Sequence, residues 1–119
     1  MQQNLISLNL SDDDINQIDA ALGILEQRLA GLVALTNDER RTLTKMGDKS
    51  EAFCRQTLAV LSQNTDLLPP RFSLAEAQRD LAAIDILRPR VARLRRLMER
   101  ADDSDTALGS DVMTAALEG

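Results

Sequence analysis

Six apolar residues, Ile15, Ile18, Leu22, Leu25, Leu29 and Leu32, recur at spacings of 3, 4, 3, 4 and 3. That rhythm puts all six on one stripe of an α-helix, whereas a strand, whose faces alternate at every residue, would scatter them. An apolar stripe stabilises a helix only when other apolar surface covers it, so a chain of this kind folds helix against helix. Composition agrees. With two Phe and no Trp or Tyr, the apolar packing must be made by Leu, Ile, Val, Ala and Met. Five Gly and three Pro are too few for the many turns of an all-β fold.

Start and stop signals divide the chain. Residues 1–10 read as an ordered or half-ordered arm, with Ile6, Leu8 and Leu10 on one side if extended. Ser11 caps a first helix over 12–35, and Asp12, Asp13 and Asp14 place negative charge on its first turn, where the helix dipole favours it. Thr36 to Glu39 fits a capping box, so a second helix begins almost at once. Leu43, Met46, Ser50, Phe53, Thr57 and Val60 continue its seam, with Cys54 and Leu61 beside it. The seam keeps its phase on both sides of Gly47, which predicts one helix over 37–64, with Gly47 at a close approach to the first helix. Pro69-Pro70 breaks the chain, and Ser73 to Glu76 is another capping box. A third stripe, from Leu74 through Leu81, Leu87 and Leu94 to Ala101, predicts a helix over 73–101 that kinks at Pro89 without ending. Asp102-Asp103-Ser104-Asp105 is read as a turn before a fourth helix over 104–117. The expected fold class is therefore all-α: an antiparallel up-and-down helical bundle of three long helices plus a shorter C-terminal helix. It forms a single domain over 1–119, long enough to bury one core.

The search for chemistry excludes more than it finds. With no His, the commonest general base and transition-metal ligand is missing, and a single Cys can build neither a thiolate zinc site nor an internal disulfide. Gly47-Asp48-Lys49-Ser50 lacks the Gly-Lys adjacency and the preceding strand of a phosphate-binding loop. The Asp102–Asp105 run lacks the Gly and Glu of a calcium loop. No catalytic, cofactor-binding or metal-binding residue is assigned, and the chain is read as non-enzymatic. Cys54 reads as a small core residue. Leu67, Leu68 and Phe72 read as the closure of the core's end.

Charge supplies the one candidate surface. Fourteen basic and nineteen acidic residues give a net charge of −5, which disfavours general affinity for nucleic acid or an anionic membrane. Basic residues nevertheless gather at Arg88, Arg90, Arg93, Arg95, Arg96 and Arg100. The bland reading pairs them with Asp38, Glu39 and an acidic fourth helix folded back over them; the sharper one makes them a binding face. The candidate contact surface comprises Arg88, Arg90, Arg93, Arg96 and Arg100, together with Lys45, Asp48 and Lys49 of the charged patch around Gly47, to which Glu51 also belongs.

Residues 42–58, TLTKMGDKSEAFCRQTL, and 107–113, ALGSDVM, resemble segments of small bacterial helical-bundle proteins of unknown function, over most of the chain. The resemblance implies a bacterial setting and no activity. The N-terminus lacks a secretory pattern and no apolar run is long enough to span a bilayer, so a cytoplasmic location is expected. The function expected is that of a helical interaction or scaffolding module binding a protein partner or itself as a homo-oligomer, without cofactor or membrane. The alternative is a nucleic-acid-associated factor using the Arg88–Arg100 face.

Overall fold

The computed structural model describes residues 3–119; Met1 and Gln2 of the expected arm lie outside the described residues. The protein is all-α. Its elements are α1 (Asp12–Arg28), α2 (Asn37–Thr42), α3 (Asp48–Gln63), a single 3-10 turn (Thr65–Leu67) and α4 (Leu74–Glu118), with no strand among the described residues.

The caps form where the sequence places them. Ser11 Oγ accepts the Asp14 N–H at 3.0 Å, and the Asp14 carboxylate accepts the Ser11 N–H at 3.1 Å. Thr36 and Glu39 make the same reciprocal pair at the start of α2. Ser73 Oγ accepts the Glu76 N–H at 3.2 Å as α4 begins. Each satisfies donors that a helix start leaves without an internal partner.

The helices differ from expectation in three places. First, α1 stops at Arg28 instead of running to 35; the chain loosens into turns, with Ala30 N–H on the Gln27 carbonyl and Leu32 N–H on that of Leu29. Gly31 and the β-branched Val33 are poor helix formers that a stripe alone does not outweigh. Second, the expected helix over 37–64 is two helices. Thr42 Oγ1 donates back to the Asp38 carbonyl at 2.9 Å, Leu43 turns to extended backbone, and α3 restarts with Gly47 as its N-cap. The Gly47 N–H donates to Ser50 Oγ at 2.7 Å, and Asp48 and Glu51 supply the acidic first turn. A glycine that seemed to interrupt a helix begins one.

Third, residues 102–105 do not turn. They are helical, and the expected third and fourth helices are one, α4, which also passes through Pro89 as anticipated. No Gly or Pro occurs between Arg90 and Leu108 to stop it. The aspartates disfavour a helix interior only by tenths of a kcal/mol each relative to good helix formers, roughly the helix-propensity spread.

The chain divides into two units, residues 44–100 and residues 1–43 with 101–119. In the 44–100 unit the half-buried face of α4 is Leu74, Ala77, Leu81, Ile84, Leu87 and Val91, the stripe read from sequence. That of α3 keeps Ser50 and Thr57 of the expected seam but shifts toward its flank at Cys54, Leu58 and Leu61, leaving Phe53 68% and Val60 47% exposed. With the helix broken at 43–47, α3 need not keep the phase of α2. In the other unit Ile6, Leu29, Ala107, Leu108 and Asp111 are half-buried. No described residue in either unit is fully buried.

Candidate contact surfaces

In the 44–100 unit, polar side chains join α3 to α4. Glu51 accepts Arg55 Nε at 3.1 Å and Arg88 Nη1 at 2.6 Å. Arg55 reaches across as a fork, its two terminal nitrogens on the two oxygens of Asp85 at 2.7 and 3.1 Å. Acid and base alternate through the network, and each carboxylate accepts charge-assisted bonds. Arg88, then Arg55, hold the Glu51 carboxyl below its ordinary value; Arg55 does the same to Asp85, while Asp85 and then Glu51 push the Arg55 guanidinium up.

This network absorbs Arg88, one of the arginines of the candidate contact surface. Of its other members the sequence marks Glu51, in the charged patch around Gly47, but not Arg55 or Asp85, although the Glu51–Arg55 spacing of four is the pair a helix surface favours. The partner across the gap, Asp85, has no local signal.

The remaining candidates fall into groups. Arg90 donates to the Ile86 carbonyl of its own helix at 2.7 Å. Arg93, Arg95, Arg96 and Arg100 are exposed and make no hydrogen bond or ion pair within their unit. Asp38 binds Arg41 on its own helix, and Glu39 closes the cap with Thr36, whose N–H and hydroxyl lower its carboxyl. The turn expected at 102–105, before a separate acidic helix, is replaced by continuous α4. Lys45 lies in the connection before α3, and Asp48 and Lys49 on its exposed first turn. Beside Arg88 and Arg95, the side chains of Ile84, Leu87 and Val91 line an open, mainly apolar groove.

In the other unit, Asp111 holds the N-terminal arm. Both its oxygens accept the Leu5 N–H at 3.0 Å, one accepts Ile6 N–H at 3.3 Å, and Gln3 Nε2 donates to it at 3.1 Å. Gln3 Nε2 also donates to Ser110 Oγ at 2.8 Å. The Leu5 N–H is the main reason its carboxyl lies below the usual range. On α1 the heptad stripe is present and uncovered: Ile15, Ile18, Leu22 and Leu25 are 43%, 45%, 50% and 39% exposed.

Among the described residues no three Asp, Glu or Cys gather as a metal site would require, and no helix is long and apolar enough to cross a membrane. Comparison with family models, with characterised proteins and with solved structures finds no match to this chain.

Proposed function

We propose that the chain is a non-enzymatic helical interaction or scaffolding module of the bacterial cytoplasm, whose helices finish their packing on another polypeptide. The observation that supports this is the uncovered stripe of α1, in a chain none of whose described residues is fully buried. A row of Ile and Leu left to water forfeits the burial that makes such a helix stable, and exposed apolar surface of this extent marks an interaction site. The antiparallel bundle implied by the sequence spacing is then completed between chains. Light scattering over a hundredfold dilution tests it. Mass should fall with dilution, and helicity with it. A monomer of constant helicity and full cooperative stability at every concentration would refute the proposal.

A second reading, association with nucleic acid, draws on Arg93, Arg95, Arg96 and Arg100, which lack partners within their unit. It ranks below the first because the chain is acidic overall, with a net charge of −5. Binding of mixed-sequence RNA or duplex DNA at roughly 0.15 M salt, lost on changing Arg93 and Arg96 together to Gln, would reverse the order.

A further inference from the structure

The charge of this chain is not spread evenly between its two units. The 44–100 unit holds eleven basic and seven acidic residues, a net +4; the unit of residues 1–43 and 101–119 holds three basic and twelve acidic, a net −9. On both, the excess is ordered. Asp12, Asp19 and Glu26 recur every seven residues along one edge of the α1 stripe. On α4, Arg93 and Arg100 are also seven apart, along one edge of an apolar stretch in which Leu94, Leu97 and Met98 are 37%, 61% and 59% exposed. Arg28 and Glu99, the one opposite charge on each segment, fall on the far side of their stripes.

We propose that α1 of one copy packs against the Arg93–Arg100 segment of α4 in a second copy, apolar stripe on apolar stripe, with the acidic row of one facing the basic row of the other. This rests on the reading of the chain as a contact module and names its partner, a second copy of itself. Three features favour that occupant. Both stripes are exposed and made of unbranched or branched aliphatic side chains. Their charged edges have the same pitch, seven residues or about 10.5 Å of helix, as two helices packed at a shallow angle require. Their signs are opposite, which rewards this pairing and penalises α1 on α1 or Arg segment on Arg segment. In a two-fold dimer the contact is made twice, since each copy offers one row of each sign.

That symmetry supplies the test. One variant carries Arg93→Glu and Arg100→Glu, and a second carries Asp19→Lys and Glu26→Lys. Each alone faces like against like and should dimerise at least about tenfold more weakly than wild type by sedimentation equilibrium, an effect in the usual range for reversed interface charges. Mixed in equal amounts, they should form a heterodimer of near wild-type affinity and helicity, because one contact is then native and the other has its signs exchanged. A chain carrying all four changes should also regain dimerisation. Three results would overturn the proposal: two variants that each dimerise as wild type does, a mixture that stays as dissociated as its components, or rescue only in the fourfold variant, which would place the contact within one chain. In the first of these, wild-type dimers would leave the contact-module reading standing; wild-type monomers would remove both.

Discussion

At the scale of the residue, Gly47 and Asp111 show how local chemistry decides structure. Gly47 is an N-cap with extended backbone, and a Cβ built on it would meet only Ser50 Oγ, at 3.9 Å. Gly47→Ser should therefore stabilise by about 0.5 kcal/mol, by offering a side-chain oxygen to the first turn, and Gly47→Ala should cost several tenths. Had Gly47 stood inside a helix, the order would be reversed, so urea midpoints of the two variants decide between them. For Asp111 the sign follows from its partners. Its carboxyl is lowered from an ordinary 3.8, so its contribution is fully present above that value and is lost as pH falls through the depressed one. Asp111→Asn should lower stability at pH 7 and flatten the acid limb of the urea midpoint against pH; an unchanged acid limb would show that the arm is not held by charge. Neither role was legible in the sequence. A glycine in phase with an apolar seam looks like a defect in a helix, and an aspartate whose partners are backbone N–H groups a hundred positions away leaves no spacing to read.

At the scale of the element, capping chemistry read well and termination read poorly. Ser11, Thr36 and Ser73 each sit within three residues of the carboxylate or amide that completes the cap, so sequence contains the whole interaction. Where a helix ends depends instead on what it packs against. The Asp102–Asp105 run looked like a turn because aspartate favours turns, but Ser104, Ala107, Leu108 and Asp111 form a half-buried row that keeps the helix going. Ser104→Pro tests this directly. In a turn it would be tolerated; inside α4 it removes a backbone donor and crowds the preceding turn, for a loss of about 3 kcal/mol. Circular dichroism with urea titration reads the difference. The half-buried face of α3 follows the same logic, for Glu51 and Arg55, which bond Arg88 and Asp85 of α4, lie on the same face of α3 as Cys54 and Leu58. Glu51→Gln should loosen that network, and because Arg88 and Arg55 lower the Glu51 carboxyl from 4.5, the wild type should lose its advantage over the variant as pH drops through that depressed value.

At the scale of the whole molecule, the apolar stripes were plain in the sequence and their cover was not, because a periodic row states that it must be buried without naming what buries it. If charged rows guide association, raising salt from about 0.05 to 0.5 M should weaken the dimer several-fold, since the Debye length falls below the spacing of the charges; sedimentation equilibrium at both salts measures it. The hold of Asp111 on Leu5 has a last consequence, one of timing. The 44–100 unit is a single stretch of chain, whereas the other unit is made of residues 1–43 and 101–119. During synthesis the arm is made 106 positions before its anchor. Throughout that interval the arm has no anchor and the Ile and Leu stripe of α1 lies open, while the 44–100 unit, made in between, can already fold. A chaperone that meets this chain as it is made should find its site in residues 12–28.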